Sequence, residues 1–364
     1  METSNLVDAE RAEVPEYGSA VNGFEPSRRN AIRVTPRLRK QTPTRIVCLG
    51  GGTGLPCVLR GLAKHVTSRN GDPGVELTAI VAMSDDGGSS GRLRRARGML
   101  PPGDVRNCLV ALAKDTGPFA QLFQYRFAGA KGLAGHAVGN LLLAALTEQK
   151  GNFMEAVTLT SALLQTCGRV LPSTLESVQL VAELTDDRRV EGETNIVRAR
   201  GNIRRIHLAP HAPAPAPGLL QSIAEADLIT LGPGSLYSSV LPNLLVGGVA
   251  EALKTSRAMK VLVGNLMTQP GETDGMSQVE HVRAIQDHAG PILDAVLINA
   301  TTPEDGVLDR YVRRGAEIVE SEPRALLKLG VIPVFADLVK AGPRMRHDSS
   351  KLARCLLKLA RAGI

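Results

Sequence analysis

The segment Arg45-Ile-Val-Cys-Leu-Gly-Gly-Gly-Thr-Gly-Leu55 passes from an apolar run into four glycines within five residues, and Pro56-Cys-Val-Leu-Arg-Gly-Leu-Ala-Lys64 follows at once. An apolar run closed by glycine and reopened by proline reads as buried strand, tight loop and helix N-terminus. A strand feeding a helix in this way is the repeating unit of wound α/β folds. It is also an arrangement suited to anions, because amides unscreened by a Cβ point outward and the helix dipole favours negative charge there. Leu55 occupies the place of the last glycine of G-x-G-x-x-G, and no Gly-Lys-Ser/Thr follows, so neither nucleotide fingerprint is met. Gly51, Gly52, Thr53 and Gly54 are therefore candidate phosphate contacts. The alternative is a turn that needs glycine only for its backbone.

A second strand is expected over 76–83, and Ser84-Asp-Asp-Gly-Gly-Ser-Ser-Gly-Arg-Leu-Arg94 follows it. In a doubly wound sheet its C-terminal end faces the same crevice as the first loop. Asp85 and Asp86 could then bind ribose hydroxyls, or a divalent cation such as Mg²⁺ between phosphates. Ser89 belongs to an amide-rich concavity, with Arg92 and Arg94 adding positive charge. Asp104 is expected as the N-cap of the next helix, whose first turn carries Arg106 and Asn107. In Gly132-Leu-Ala-Gly-His-Ala-Val-Gly-Asn-Leu-Leu-Leu-Ala-Ala-Leu146 the spacing predicts a helix with His136 and Asn140 on one face. A polar pair in an apolar helix needs partners, either a ligand or an internal network.

Residues 178–185 and 189–193 read as a hairpin around Asp186-Asp187, and 203–208 as a further strand, a β insertion near 178–208. The strand–loop–helix rhythm then returns. Ala226-Asp-Leu-Ile-Thr-Leu-Gly232 runs into Pro233-Gly-Ser-Leu-Tyr-Ser-Ser239, a second glycine loop that places Gly234 and Ser235 as ligand contacts, followed by a helix over about 243–256. A polar loop follows over 267–275, and helices are expected over 277–288, about 305–314 and 350–361. Arg346 stands just before the last of these, where a guanidinium could fork onto a phosphate or carboxylate.

Composition narrows the function classes. The formal charge of +7 suggests nucleic acid, but residues 2–25 hold six acids and one Arg while 26–45 hold seven bases and no acid. Tryptophan is absent and aromatics are 3%, so there is little to stack bases on, and nucleic acid is not expected as a partner. The five cysteines show no paired metal spacing and read as reduced core residues. No apolar run of 18 residues and no leader pattern is present, so a cytoplasmic protein without a membrane span is expected. Residues 1–43, rich in charge, Pro and Ser, are expected to be a disordered extension of a single domain over 44–364.

Seven ordered motifs carry a resemblance: Gly50-Gly-Gly-Thr-Gly-Leu55, Ser84-Asp-Asp-Gly-Gly-Ser-Ser-Gly-Arg92, Pro101-Pro-Gly-Asp-Val-Arg-Asn107, Gly135-His-Ala-Val-Gly-Asn140, Gly232-Pro-Gly-Ser-Leu-Tyr237, Met267-Thr-Gln-Pro-Gly-Glu-Thr-Asp-Gly275 and Arg346-His-Asp348. Together they resemble the gluconeogenesis factors of the YvcK type, in the CofD-like superfamily of 2-phospho-L-lactate transferases. The resemblance runs from about Arg45 to the C-terminus. It implies a three-layer Rossmann-like α/β fold with helices on both faces of the sheet. It implies a cytoplasmic protein that binds a UDP-sugar such as UDP-N-acetylglucosamine and acts in cell shape and wall-precursor supply during gluconeogenic growth, through protein partners. By the same likeness Thr53, Asp85, Asp86, Asn243 and Arg346 would line the nucleotide-sugar crevice. No general base or nucleophile stands out, which favours a non-catalytic sensor. The superfamily implies the alternative of a metal-dependent phospho-group transferase.

Overall fold

The computed structural model describes residues 42–66, 73–114, 117–301 and 306–362, so all but the last two residues of the expected extension lie outside the described residues. Among the described residues ten strands build two sheets. The larger contains β1 (Thr44–Gly50), β2 (Val75–Val81), β3 (Arg169–Pro172), β7 (Leu228–Leu231), β8 (Met259–Val263), β9 (Ala295–Asn299) and β10 (Ile332–Ala336). The smaller contains β4 (Gln179–Leu184), β5 (Arg189–Glu191) and β6 (Ile203–Ala209), with β4 central and antiparallel to both neighbours. The hairpin and third strand of the insertion are thus as expected.

The large sheet runs in the order β10-β9-β8-β7-β1-β2-β3, and all its ladders are parallel. Ile46 to Gly50 are buried in sequence, as a central parallel strand covered by helices on both faces requires. From β1 the chain winds outward to β2 and β3, then returns to the other side of β1 and winds through β7 to β10. The order reverses between β1 and β7, and in open α/β sheets that point leaves a crevice at the C-terminal strand ends. This is the three-layer Rossmann-like sheet that the sequence implied.

Three helices position the site: α1 (Gly54–Leu62), α2 (Gly88–Arg97) and α3 (Gly103–Leu112). The closing helix, Ser349–Ala362, buries Leu352, Ala353, Leu356 and Leu357 and lies against α1 so closely that a Cβ on Gly61 would fall 2.0 Å from the Ser349 carbonyl oxygen. Cys57 Sγ lies 3.2 Å from Ser349 Oγ and 3.3 Å from the His347 carbonyl oxygen, so the end of the chain is fixed beside the first glycine loop.

Several elements differ from expectation. Asp104 is not an N-cap; Pro102 holds that position and the Asp104 side chain turns elsewhere. The expected helix of 243–256 is two pieces, a short helix Leu241–Leu244 and Val249–Thr255 after Gly248, whose φ of +80° breaks the run, and a π turn Leu236–Val240 precedes them. The expected helix of about 305–314 shortens to Asp309–Val312. Among the described residues no single helix is long and apolar enough to cross a membrane.

Candidate functional site

The two glycine loops meet at the switch point. Gly232 N–H donates to the Leu49 carbonyl at 2.9 Å, and a Cβ on Gly54 would sit 1.9 Å from the Pro233 carbonyl oxygen. Only glycine permits this backbone-to-backbone approach. Beneath the loops Asn243, fully buried, donates from Nδ2 to the carbonyls of Gly50 at 3.2 Å and Ser239 at 2.8 Å. Its Oδ1 has no partner among the described residues. Asn243 therefore ties the loops together from below and does not line the space above them.

That space is a crevice of about 1640 Å³. Thr53 and Gly54 of the first loop and Gly234 and Ser235 of the second line it, and so does Arg346. Thr53 is exposed and makes no side-chain cap for α1; Leu55 N–H donates to the Gly51 carbonyl at 3.4 Å and Pro56 has no N–H, which leaves Gly54 as the amide of the helix start. Further cations reach the crevice from residues 310–314 and 340–346: Arg310, Arg313, Arg314, Lys340 and Arg344, all exposed. None of these five was singled out from the sequence. With Arg60 of α1, seven cations surround this helix start, an arrangement for a ligand with more than one negative charge.

Gly51 and Gly52 lie behind this lining. The Asp104 carboxylate, reaching back from the first turn of α3, accepts the Gly52 N–H at 2.6 Å, and a Cβ on Gly51 would fall 2.8 Å from the same carboxylate. Desolvation, then the nearby Asp85 charge, push the Asp104 carboxyl up to about 6, against the Gly52 N–H and Arg106, which hold it down. One amide of the first loop is thus committed to a protein carboxylate.

Asp85 accepts the Gly87 N–H at 2.8 Å. Its carboxyl is raised by burial, with the Asp86 charge adding to this, while bonds from Gly87 and Ser90 and the Arg94 charge oppose it. Asp86 turns to the insertion, where its Oδ1 accepts both the Thr194 N–H at 3.0 Å and the Thr194 hydroxyl at 2.6 Å. It thereby anchors the first turn of the helix Glu193–Ala199.

His136 and Asn140 do pair, but not along a helix face. The helix runs Val138–Lys150, so His136 precedes it, after a Gly135 whose φ of +74° no continuing helix allows. The two are joined through Ser89: His136 Nδ1 lies 3.0 Å from Ser89 Oγ, which also accepts Asn140 Nδ2 at 3.0 Å. This buried network stands apart from the crevice lining, and Asn140 Oδ1 has no partner among the described residues. Burial, followed by the charges of Arg92 and Arg126, lowers the His136 pKa. Asn107 accepts from Arg106 Nη2 at 2.6 Å.

Two acids also line the crevice: Glu193, which sequence reasoning missed, and Glu272, which belongs to the 267–275 loop that the sequence marks without singling out this residue. Glu272 Oε1 accepts the Ser235 hydroxyl, and Ser235 Oγ in turn accepts from Ser238 Oγ at 2.6 Å. Burial raises both carboxyls, and Glu193, near the charges of Asp85, Asp104 and Glu272, is pushed up to about 8. Among the described residues no group of three or more His, Cys, Asp or Glu side chains is arranged to hold a metal ion.

Fold and crevice define a doubly wound α/β protein with two glycine loops meeting at its switch point. Residues 46–339 match the sequence model of the family described as 2-phospho-L-lactate transferase CofD. The chain is 44% identical over 315 residues to the gluconeogenesis factor of Halalkalibacterium halodurans, covering 86% of this chain and 95% of that one. It is 39% identical over 325 residues to the gluconeogenesis factor of Listeria monocytogenes, covering 88% and 97%. A crystal structure of a Bacillus halodurans protein superposes with a TM-score of 0.83 at 43% identity, covering 87% of this chain and all of that one. The chain belongs to the CofD family and, within it, to the gluconeogenesis factors.

Proposed function

We propose that the crevice binds a UDP-sugar, UDP-N-acetylglucosamine or a close relative, and that the protein is a regulatory nucleotide-sugar binder acting in the cytoplasm during gluconeogenic growth. The observation that carries this reading is the junction of the α1 N-terminus and a second glycine loop with Arg60 and the cations of residues 310–314 and 340–346 around one space. A diphosphate suits the cations and amides, and a neutral sugar suits the acid-and-serine floor. The output is a change in what the protein offers to partners in cell-shape control and wall-precursor supply. A calorimetric panel of nucleotides tests it: UDP-sugars bind and adenine nucleotides do not. A flat panel contradicts it.

The family description favours a second reading, a metal-dependent phospho-group transferase. Turnover decides between the two. The regulatory reading expects no product when the protein is incubated with UDP-sugars, or with a nucleotide-activated phospho-acid and an acceptor, in the presence of Mg²⁺.

A further inference from the structure

Gly234, on the second glycine loop, is held at both its polar groups by one side chain. Its N–H donates to Asn265 Oδ1 at 3.2 Å, and its carbonyl accepts from Asn265 Nδ2 at 2.8 Å. The setting of this loop over the crevice therefore depends on where Asn265 stands. The Asn265 carbonyl in turn accepts from Gln278 Nε2 at 3.0 Å. Gln278 opens the helix Gln278–Ala289 and does not itself line the crevice. It packs so closely that a Cβ on Gly264 would fall 2.6 Å from Gln278 Nε2.

Behind this contact lies a cavity of about 10 Å³, lined by Gly234 and Asn265 on the crevice side and by Gln278 and His281 of the helix's first turn. Gln278 and His281 are 1% and 2% exposed, and each has one buried atom, Gln278 Oε1 and His281 Nε2, with no partner among the described residues. Their other ends fix what these atoms are. A carbonyl only accepts, so Gln278 turns its NH₂ to Asn265 and its unpartnered atom is the oxygen. His281 Nδ1 lies 2.8 Å from the Ser277 carbonyl, so Nδ1 carries a hydrogen. Burial lowers the His281 pKa from its ordinary 6.5, so above that pH the ring has no second hydrogen and Nε2 is an acceptor. Two buried acceptors cannot bond each other, and each is costly until a donor meets it. The volume suits one water, which donates twice. No carboxylate lines the cavity, so a small cation there would stand uncompensated.

We propose that this cavity is the site of one buried water, donating to Gln278 Oε1 and His281 Nε2, and that Gln278, so held, is a positioning residue that acts through Asn265 to set the second glycine loop over the crevice. The consequence for binding rests on the UDP-sugar reading above; the water and the loop do not. Since the Gly234 N–H is committed to Asn265, the loop serves the ligand by its placement rather than by that amide.

The test uses the full chain. A crystal structure of the wild type that orders its waters is expected to show one water within hydrogen-bond distance of both acceptors, and a dry cavity overturns the proposal. Gln278→Leu, with melting curves to confirm folding, removes the donor to Asn265 and one acceptor of the water. Amide exchange over residues 232–240 is then expected to quicken at least about threefold while β2 keeps its wild-type rates. UDP-N-acetylglucosamine should bind about tenfold more weakly by calorimetry. His281→Phe, which removes only the other acceptor, is expected to move both readouts the same way by less, and it serves if Gln278→Leu does not fold. Exchange that quickens equally in β2 and in residues 232–240 marks a merely structural role and overturns the positioning, as does wild-type exchange in both variants. Wild-type affinity in variants whose loop exchange has quickened overturns it too. A wild type that shows the water and the exchange changes but binds no UDP-sugar overturns the UDP-sugar reading alone.

Discussion

The Asp104 carboxylate holds the Gly52 N–H at 2.6 Å, joining two residues 52 positions apart and fixing the first glycine loop onto α3. Replacing Asp104 by Ala leaves that amide without its acceptor and is expected to destabilise the protein by about 1–3 kcal/mol. Asn keeps an acceptor and costs less. Because desolvation raises the Asp104 carboxyl to about 6, the folded state retains its proton longer than the unfolded chain. Its contribution is fully present below the ordinary carboxyl range and is lost as pH rises through about 6. Asn stands for the neutral carboxyl and does not titrate, so the melting temperature of wild type relative to Asp104→Asn should fall as pH rises from the ordinary carboxyl range through about 6. Parallel profiles would show that Asp104 does not titrate there.

Gly54 faces the Pro233 carbonyl with room for no side chain. Gly54→Ala forces the two loops apart and should destabilise by more than about 2 kcal/mol, through overpacking against rigid backbone. Gly88→Ala is the control. Its Cβ meets nothing within 4 Å, so only the cost of its φ of +45° remains, about 1 kcal/mol. Denaturant unfolding of both variants checks this, and equal losses would contradict the close approach.

His347 lines the crevice, and burial lowers its pKa to about 4. Here the sign is opposite to that of Asp104. The folded state prefers the neutral ring, so stability is lost as pH falls from about 6.5 toward the folded value, by on the order of 2–3 kcal/mol in all. His136, His281 and His288 are lowered as well, so the wild-type curve sums several groups. The difference between wild type and His347→Gln isolates this one. A difference independent of pH would mean that His347 does not titrate in this range.

Arg346 is exposed, lines the crevice and sits on the turn before the helix that packs on α1. Arg346→Ala should weaken sugar-nucleotide binding by roughly 1.5–3 kcal/mol, or one to two powers of ten, with little effect on melting. Lys should restore part of the loss, since it brings charge without the fork. Dissociation constants equal in all three proteins would place Arg346 outside the site.

The legible parts of this fold were those written in local pattern. β1 and β7 each show an apolar run closed by glycine, and their loops meet as two strand ends at one switch point should. The capping box of the helix Gln278–Ala289 is also local, with Ser277 accepting from Glu280 N–H and Glu280 accepting from Ser277 N–H. What escaped is set by tertiary convergence. His136 has helical spacing from Asn140, yet the turn at Gly135 removes it from the helix, and Ser89 supplies the link that spacing alone suggested. Strand β3 has four residues and strand β10 carries Pro333, so neither makes a clear periodic signal. Glu193 follows a hairpin, where a solvated acid is usual; burial and the charges of Asp85, Asp104 and Glu272, which converge only in the fold, make it unusual. The crevice cations come from two separate segments that form no sequence motif together.

The central claim is that one crevice binds a nucleotide sugar, and calorimetric titration of UDP-N-acetylglucosamine into the full chain tests it most directly. The account predicts a saturable one-site isotherm that Arg346→Ala weakens about ten- to hundredfold. Absence of heat, with no rise in melting temperature at millimolar ligand, would contradict it.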